Sequence, residues 1–118
     1  MKETIKSIID WSEQTFPDAT LDGQLEKYYE EQQEYLESKC KDITELADMF
    51  IVACGIARFN LIEGMYHIAD VVDWFKEEDW HWTDFDKAIN EKMKINKKRK
   101  WQKSNGLYHH IKKRDKND

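Results

Sequence analysis

Along most of this 118-residue chain, apolar residues recur every three or four positions, and no stretch alternates in the manner of a strand. Ile5, Ile8 and Ile9, with Trp11 near the end, predict a first helix over residues 2–15. Phe16-Pro17-Asp18 ends it, because proline disfavours helical geometry in the residue before it. Leu21, Leu25, Tyr28, Tyr35 and Leu36 form the stripe of a second helix from about Leu21 to Lys39. After a turn at Lys41-Asp42, Asp42 reads as an N-cap with Glu45 as its capping-box partner. The third helix runs to Arg58 or Phe59 and is apolar all round, the mark of burial on every side. Residues 61–77 predict a fourth, with Ile62, Met65, Tyr66, Ala69 and Val72 inward. Glu77 to Trp82 reads as a loop, and Thr83 as the cap of a fifth helix from Asp84 to about Trp101, with Phe85, Ile89 and Met93 on one face. The expected fold is all-α: one domain over residues 1–118, a bundle of about five helices. Residues 102–118 form a basic tail, flexible in part.

One proline and four glycines leave few breakers, which supports the helical reading, and 40% apolar with 13% aromatic residues excludes a wholly disordered chain. Cys40 and Cys54 form neither a metal-type spacing nor a disulfide framework. No charged-then-apolar leader opens the sequence, and the apolar run from Asp48 to Phe59 is too short to span a bilayer. A cytoplasmic protein without a membrane partner is expected. Residues 1–90 carry 8 basic and 21 acidic side chains, a net of −13; residues 91–118 carry 11 and 3, a net of +8. Such a split fits a solvated face beside a charged tail, or an acidic metal site facing a basic anion site.

Asp48 stands at the start of the most apolar run, where an unpaired charge costs several kcal/mol. It must be paired, protonated or holding a metal. The preceding helix carries Glu30-Glu31-x-x-Glu34, and this one Glu45-x-x-Asp48. A three-residue step keeps each pair on one face, so antiparallel neighbours would gather four carboxylates. A divalent cation relieves their repulsion, and magnesium, with its preference for hard oxygen, is the natural candidate. Glu26, Glu30 and Glu37 fall opposite the apolar stripe and read as solvated. Glu31 lies on its shoulder. Glu34 points more outward on the helical wheel, and Glu45 could be only a capping residue.

At the basic end, Lys92, Asn96 and Arg99 recur at i, i+4 and i+7 beside Met93. An ammonium, an amide and a guanidinium on one stripe suit a polyphosphate; a solvated basic face or a nucleic-acid patch is the plainer account. Lys94, Lys97 and Lys98 belong to the solvated set. His67, His109 and His110 lack metal-binding companions.

With Glu30-Glu31-Gln32-Gln33-Glu34 followed by Glu45-Leu46-Ala47-Asp48, the chain resembles the MazG-like all-α nucleotide pyrophosphohydrolases. The segment Lys92 to Trp101, Asn105-Gly106 and residues 109–112 resemble the tail of small phage and bacterial members, and Trp11 with Thr15 to Thr20 their opening. The resemblance implies Mg²⁺-dependent (or Mn²⁺-dependent) cleavage of a nucleoside triphosphate, usually a deoxynucleotide, to the monophosphate and pyrophosphate. Glu31, Glu34, Glu45 and Asp48 would be the metal ligands, with Glu34 or Glu31 orienting or deprotonating the water. Lys92, Asn96 and Arg99 would stabilise the pyrophosphate, and Trp11 or Phe16 could stack on the base, although such residues are more often core. It also implies a homodimer or homotetramer that completes the core and covers the outward Glu34.

The rival class is a helical nucleic-acid-binding or regulatory protein using its basic tail; it leaves Asp48 unexplained. A di-iron carboxylate bundle needs two Glu-x-x-His pairs, and only Glu78 and His81 have that spacing, in a predicted loop.

Overall fold

Among the described residues, five helices make up the body of the fold: α1 (Ile5–Thr15), α2 (Leu21–Glu37), α3 (Ile43–Phe59), α4 (Leu61–Lys76) and α5 (Trp82–Lys98). The computed structural model describes residues 2–104 and 107–110. Helix α3 is the axis, and the other four all pack against it. That is the physical content of its all-round apolar sequence. Leu46, Ala47, Ala53, Cys54 and Ile56 have no exposed surface. Ile8 of α1, Tyr28 and Tyr35 of α2, Ile68 and Val71 of α4, and Phe85 and Met93 of α5 complete the core around it.

The α2–α3 turn reverses the chain through Lys39 and Cys40, both left-handed with φ of 60°. Ser38 Oγ donates to the Tyr35 carbonyl, and the Tyr35 hydroxyl donates to the Cys40 carbonyl. The two helices therefore run antiparallel, with Gln24 beside Gly55 at one end and the acids at the other. Asp42 caps α3 by accepting from the Thr44 N–H. Glu45 makes no capping box; its carboxyl lies with Glu31 and Asp48 instead. At the far side, the Lys97 ammonium donates to Glu3, whose N–H donates to Asn90, tying the start of α1 to α5.

Helix α4 is rotated from the sequence expectation. Gly64, Ile68 and Val71 face inward, Val72 is half-buried, and Ala69 is exposed. Ile62, Met65 and Tyr66 are 66%, 45% and 71% exposed. The cause is the connection: a single residue, Asn60, ends α3 and caps α4 by accepting from the Glu63 N–H. The two helices then approach so closely that a Cβ on Gly64 would overlap the Ala57 backbone. The smallest residue, not the largest, marks the contact face. Leu36 is likewise outward, at the exposed end of α2.

Helix α5 begins two residues earlier than expected. His81, not Thr83, is its N-cap, in a reciprocal capping box with Asp84. It ends at Lys98, where Arg99 becomes extended. Trp101 accordingly belongs not to the helix but to an antiparallel hairpin, β1 (Trp101–Ser104) with β2 (Leu107–His110), pairing Trp101 with His110 and Ser104 with Leu107. Hairpin strands this short carry too little alternation to announce themselves. The flexible-tail expectation for residues 105–106 and 111–118 lies outside the described residues. Among the described residues no helix is long and apolar enough to cross a membrane.

Candidate functional site: an acidic cluster in a basic and aromatic cleft

The acids on α2 and α3 converge. One carboxylate oxygen each from Glu31, Glu45 and Asp48 lies within 4.8 Å of the others. Glu34, one turn on from Glu31, is exposed at the rim of the same cleft. Glu26, Glu30 and Glu37 are exposed, as their place opposite the stripe predicts.

Asp48 is answered in part by a lysine: Lys92 Nζ of α5 stands 3.2 Å from its Oδ2, both side chains less than one-fifth exposed. That pair does not neutralise the cluster. Lys27, one turn before Glu31, is 3.8 Å from Glu31 and 3.9 Å from Glu30, spread between the two. Among the described residues, Glu31 Oε1 and Glu45 Oε1 are both buried with no hydrogen-bond partner. Burial, then the Asp48 and Glu34 charges, push the Glu31 carboxyl up to about 8. Burial, then the same two acids, push Glu45 up to about 7. Asp48 is raised by burial against the opposing pull of Lys92 and Arg99.

The chemistry of this donor set fits a hard divalent cation. Three carboxylates converge from two rigid helices, and two buried oxygens lack any donor. Desolvated carboxylates without donors are what an oxygen-seeking cation satisfies and what a protein otherwise avoids.

The acids form one end of a cleft of about 380 Å³. Lys92, Asn96 and Arg99 line its α5 side. Asn96 is buried, and its Oδ1 accepts from Arg99 Nη1 at 3.1 Å, which aims the guanidinium across the helix end. Lys94, Lys97 and Lys98 are exposed, as the solvated face predicts.

The opposite end is aromatic. Trp11, Phe16 and Trp101 meet edge-to-face, with centroids 4.9 to 6.1 Å apart. Phe16 is buried and Trp11 half-buried, so both serve as packing as well as lining. Arg58 of α3 fixes this wall. Its Nη1 donates to the Ser12 carbonyl, the Ser12 hydroxyl and the Phe16 carbonyl, at 3.0 to 3.2 Å.

All nine residues proposed from sequence therefore line one cleft: Glu31, Glu34, Glu45, Asp48, Lys92, Asn96, Arg99, Trp11 and Phe16. Sequence reasoning missed Lys27, Gln24, Trp101 and Arg58. Lys27 sits four residues before Glu31, a legible i,i+4 signal. Trp101 was concealed by extending α5 too far. Arg58 and Gln24 act across helices and carry no local signal.

Comparison of the chain with protein-family models, curated proteins and solved structures returned no match.

Proposed function

We propose that the cleft hydrolyses a nucleoside triphosphate, a deoxynucleotide by preference, to the monophosphate and pyrophosphate, with Mg²⁺ or Mn²⁺ as cofactor. The observation that supports this most strongly is the pair of buried, unpartnered oxygens of Glu31 and Glu45 beside Asp48, facing a basic wall across the same cleft. Glu31, Glu45 and Asp48, with Glu34 at the rim, would hold the cation. When bound it would neutralise phosphate oxygens and lower the pKa of an attacking water.

The chain's own residues account for the remaining work. Glu34, at the solvent edge of the cluster, accepts the proton of the water whose oxygen bonds to the α-phosphorus. The bond from that phosphorus to the bridging oxygen breaks, and pyrophosphate leaves with the electron pair. Lys92 and Arg99 bind the charge that develops on it, arginine in bidentate fashion and lysine as a point charge. Asn96 holds the Arg99 guanidinium in place. The aromatic end receives the nucleoside and excludes water from it.

We further propose a homodimer joined through the outer face of α4, as the protein or as the unit of a tetramer. Leu61, Ile62, Met65 and Tyr66, with Phe59 and Tyr29 beside them, are 38% to 71% exposed. At ~200 Å² for a free large side chain, six such residues offer roughly 600 Å² of apolar surface. That is the upper limit for a monomer's largest patch and most of the ~800 Å² that each partner gives to a standard interface. The spacing 62, 65, 66, 69 is also self-complementary when two copies of the helix cross antiparallel.

The test is pyrophosphate release from a panel of ribo- and deoxynucleoside triphosphates, with and without Mg²⁺. Turnover should require the metal, and Asp48→Ala should abolish it while circular dichroism stays unchanged. Turnover unaffected in that variant removes the metal role. Salt-sensitive DNA or RNA binding with no turnover and no response to Mg²⁺ would favour the nucleic-acid reading instead.

A further inference from the structure

Two turns along α2 from Glu31, the side chain of Gln24 lines the cleft against Gly55 of α3. A Cβ on Gly55 would overlap Gln24 Oε1, so the carboxamide occupies the volume that any other residue at 55 would fill. Gln24 is half-buried, and among the described residues its amide makes no hydrogen bond. The cleft lining near it is mixed: Val52, Ala19 and Gly23 offer carbon or backbone, and Thr20 and Lys27, one turn away on the same helix, offer polar ends that it does not bond. A half-buried carboxamide with no intramolecular partner keeps its donors and acceptor available to a ligand in the cleft.

Position says which part of a ligand that would be. At 1.5 Å per residue, Gln24 lies about 10 Å along the helix from Glu31, and the same interval separates Gly55 from Asp48. With the α-phosphate at the acids, the sugar and base are the parts of the ligand that the proposed aromatic subsite receives, and Gln24 lies on that side of the acids. We infer that Gln24 reads the edge of the nucleobase, and that Gly55 lacks a side chain so that the carboxamide can seat there. An amide presents a neighbouring acceptor and donor in one plane, which pairs in bidentate fashion with the donor–acceptor edge of a base held between aromatic walls. This assignment rests on the triphosphate reading above and deepens it: the acids and the basic wall supply the chemistry, and Gln24 the choice among bases.

The experiment is steady-state hydrolysis of the four common deoxynucleoside triphosphates, with inorganic tripolyphosphate as a competing ligand that has no base. The wild type should prefer one base. In Gln24→Leu, kcat/KM for that nucleotide should fall about tenfold or more through KM, and the spread among bases should shrink to about threefold, the scale of a lost bidentate base contact. Inhibition by tripolyphosphate should be unchanged, which a merely structural role for Gln24 would not allow. Gly55→Ala should reproduce the effect by displacing the amide, and the double variant should be no worse than Gln24→Leu alone. Preference retained in Gln24→Leu, or tripolyphosphate weakened in step with the nucleotides, overturns the assignment. A wild type that cleaves all four equally also overturns it and leaves the triphosphate reading intact. A wild type that cleaves none defeats that reading, and this one with it.

Discussion

Glu31→Gln should make the metal-free protein more stable, which is the opposite of what losing a buried side chain normally does. The wild-type carboxyl is held at about 8 instead of 4.5, with its side chain 13% exposed. At about 1.4 kcal/mol per tenfold change in proton affinity, carrying it at pH 7.5 costs the folded state up to ~4 kcal/mol. The amide is nearly the same size and neutral, but it remains desolvated in the same place, at ~1–3 kcal/mol. The net expectation in EDTA at pH 7.5 is a gain of ~1–3 kcal/mol, read as a rise in melting temperature of roughly 4–8 °C per kcal/mol. The pH profile gives the sign independently. Because the folded-state value lies above the unfolded one, Glu31 contributes no penalty below about pH 4.5, and stability is lost as pH rises toward 8. The balance should therefore shift toward the variant by up to ~4 kcal/mol between pH 4.5 and pH 7.5, with the variant the less stable of the two near pH 4.5. Saturating Mg²⁺ should reverse the order, since it stabilises the wild type by ~2.7 kcal/mol at a hundredfold excess over its Kd and finds one ligand fewer in the variant. A variant less stable than wild type in EDTA at pH 7.5, or one that gains as much from Mg²⁺, would refute the account of this cluster.

Two further outcomes test the frame around the site. Gly64→Ala should lower stability by ~1–3 kcal/mol in a urea titration, because its Cβ meets the Ala57 backbone and the helices must part to admit it. A neutral or stabilising result, as helix propensity alone would give, would contradict that close approach. Met65→Glu should convert a dimer to a monomer in sedimentation at micromolar concentration, by placing a charge in the middle of the α4 face while leaving the monomer core untouched. An unchanged sedimentation coefficient would show that this face is not the interface.

Residues 31 and 48 were legible because gathering carboxylates between two helices imposes a one-dimensional rule. Acids on two adjacent helices that are to meet must recur at three- or four-residue steps, and Glu31, Glu34, Glu45 and Asp48 obey it. The order of helices was legible for a similar reason. Caps and breakers such as Asp42 and Phe16-Pro17 act within a few residues of the boundary they set. What failed was everything decided between elements. The apolar stripe of α4 has two candidate faces, and the rule that large residues point inward chose Ile62, Met65 and Tyr66. The fold buries Gly64, Ile68 and Val71, because a one-residue turn at Asn60 forces a helix contact too tight for anything larger than glycine. The large residues left outside form the exposed α4 face on which the dimer is proposed. Gln24 follows the same logic within the site: its sequence neighbours give it no role, and only Gly55, from another helix, makes its carboxamide part of the cleft. Local spacing thus locates the clustered acids, while the contacts that shape the cleft and its surroundings depend on where small residues allow helices to meet.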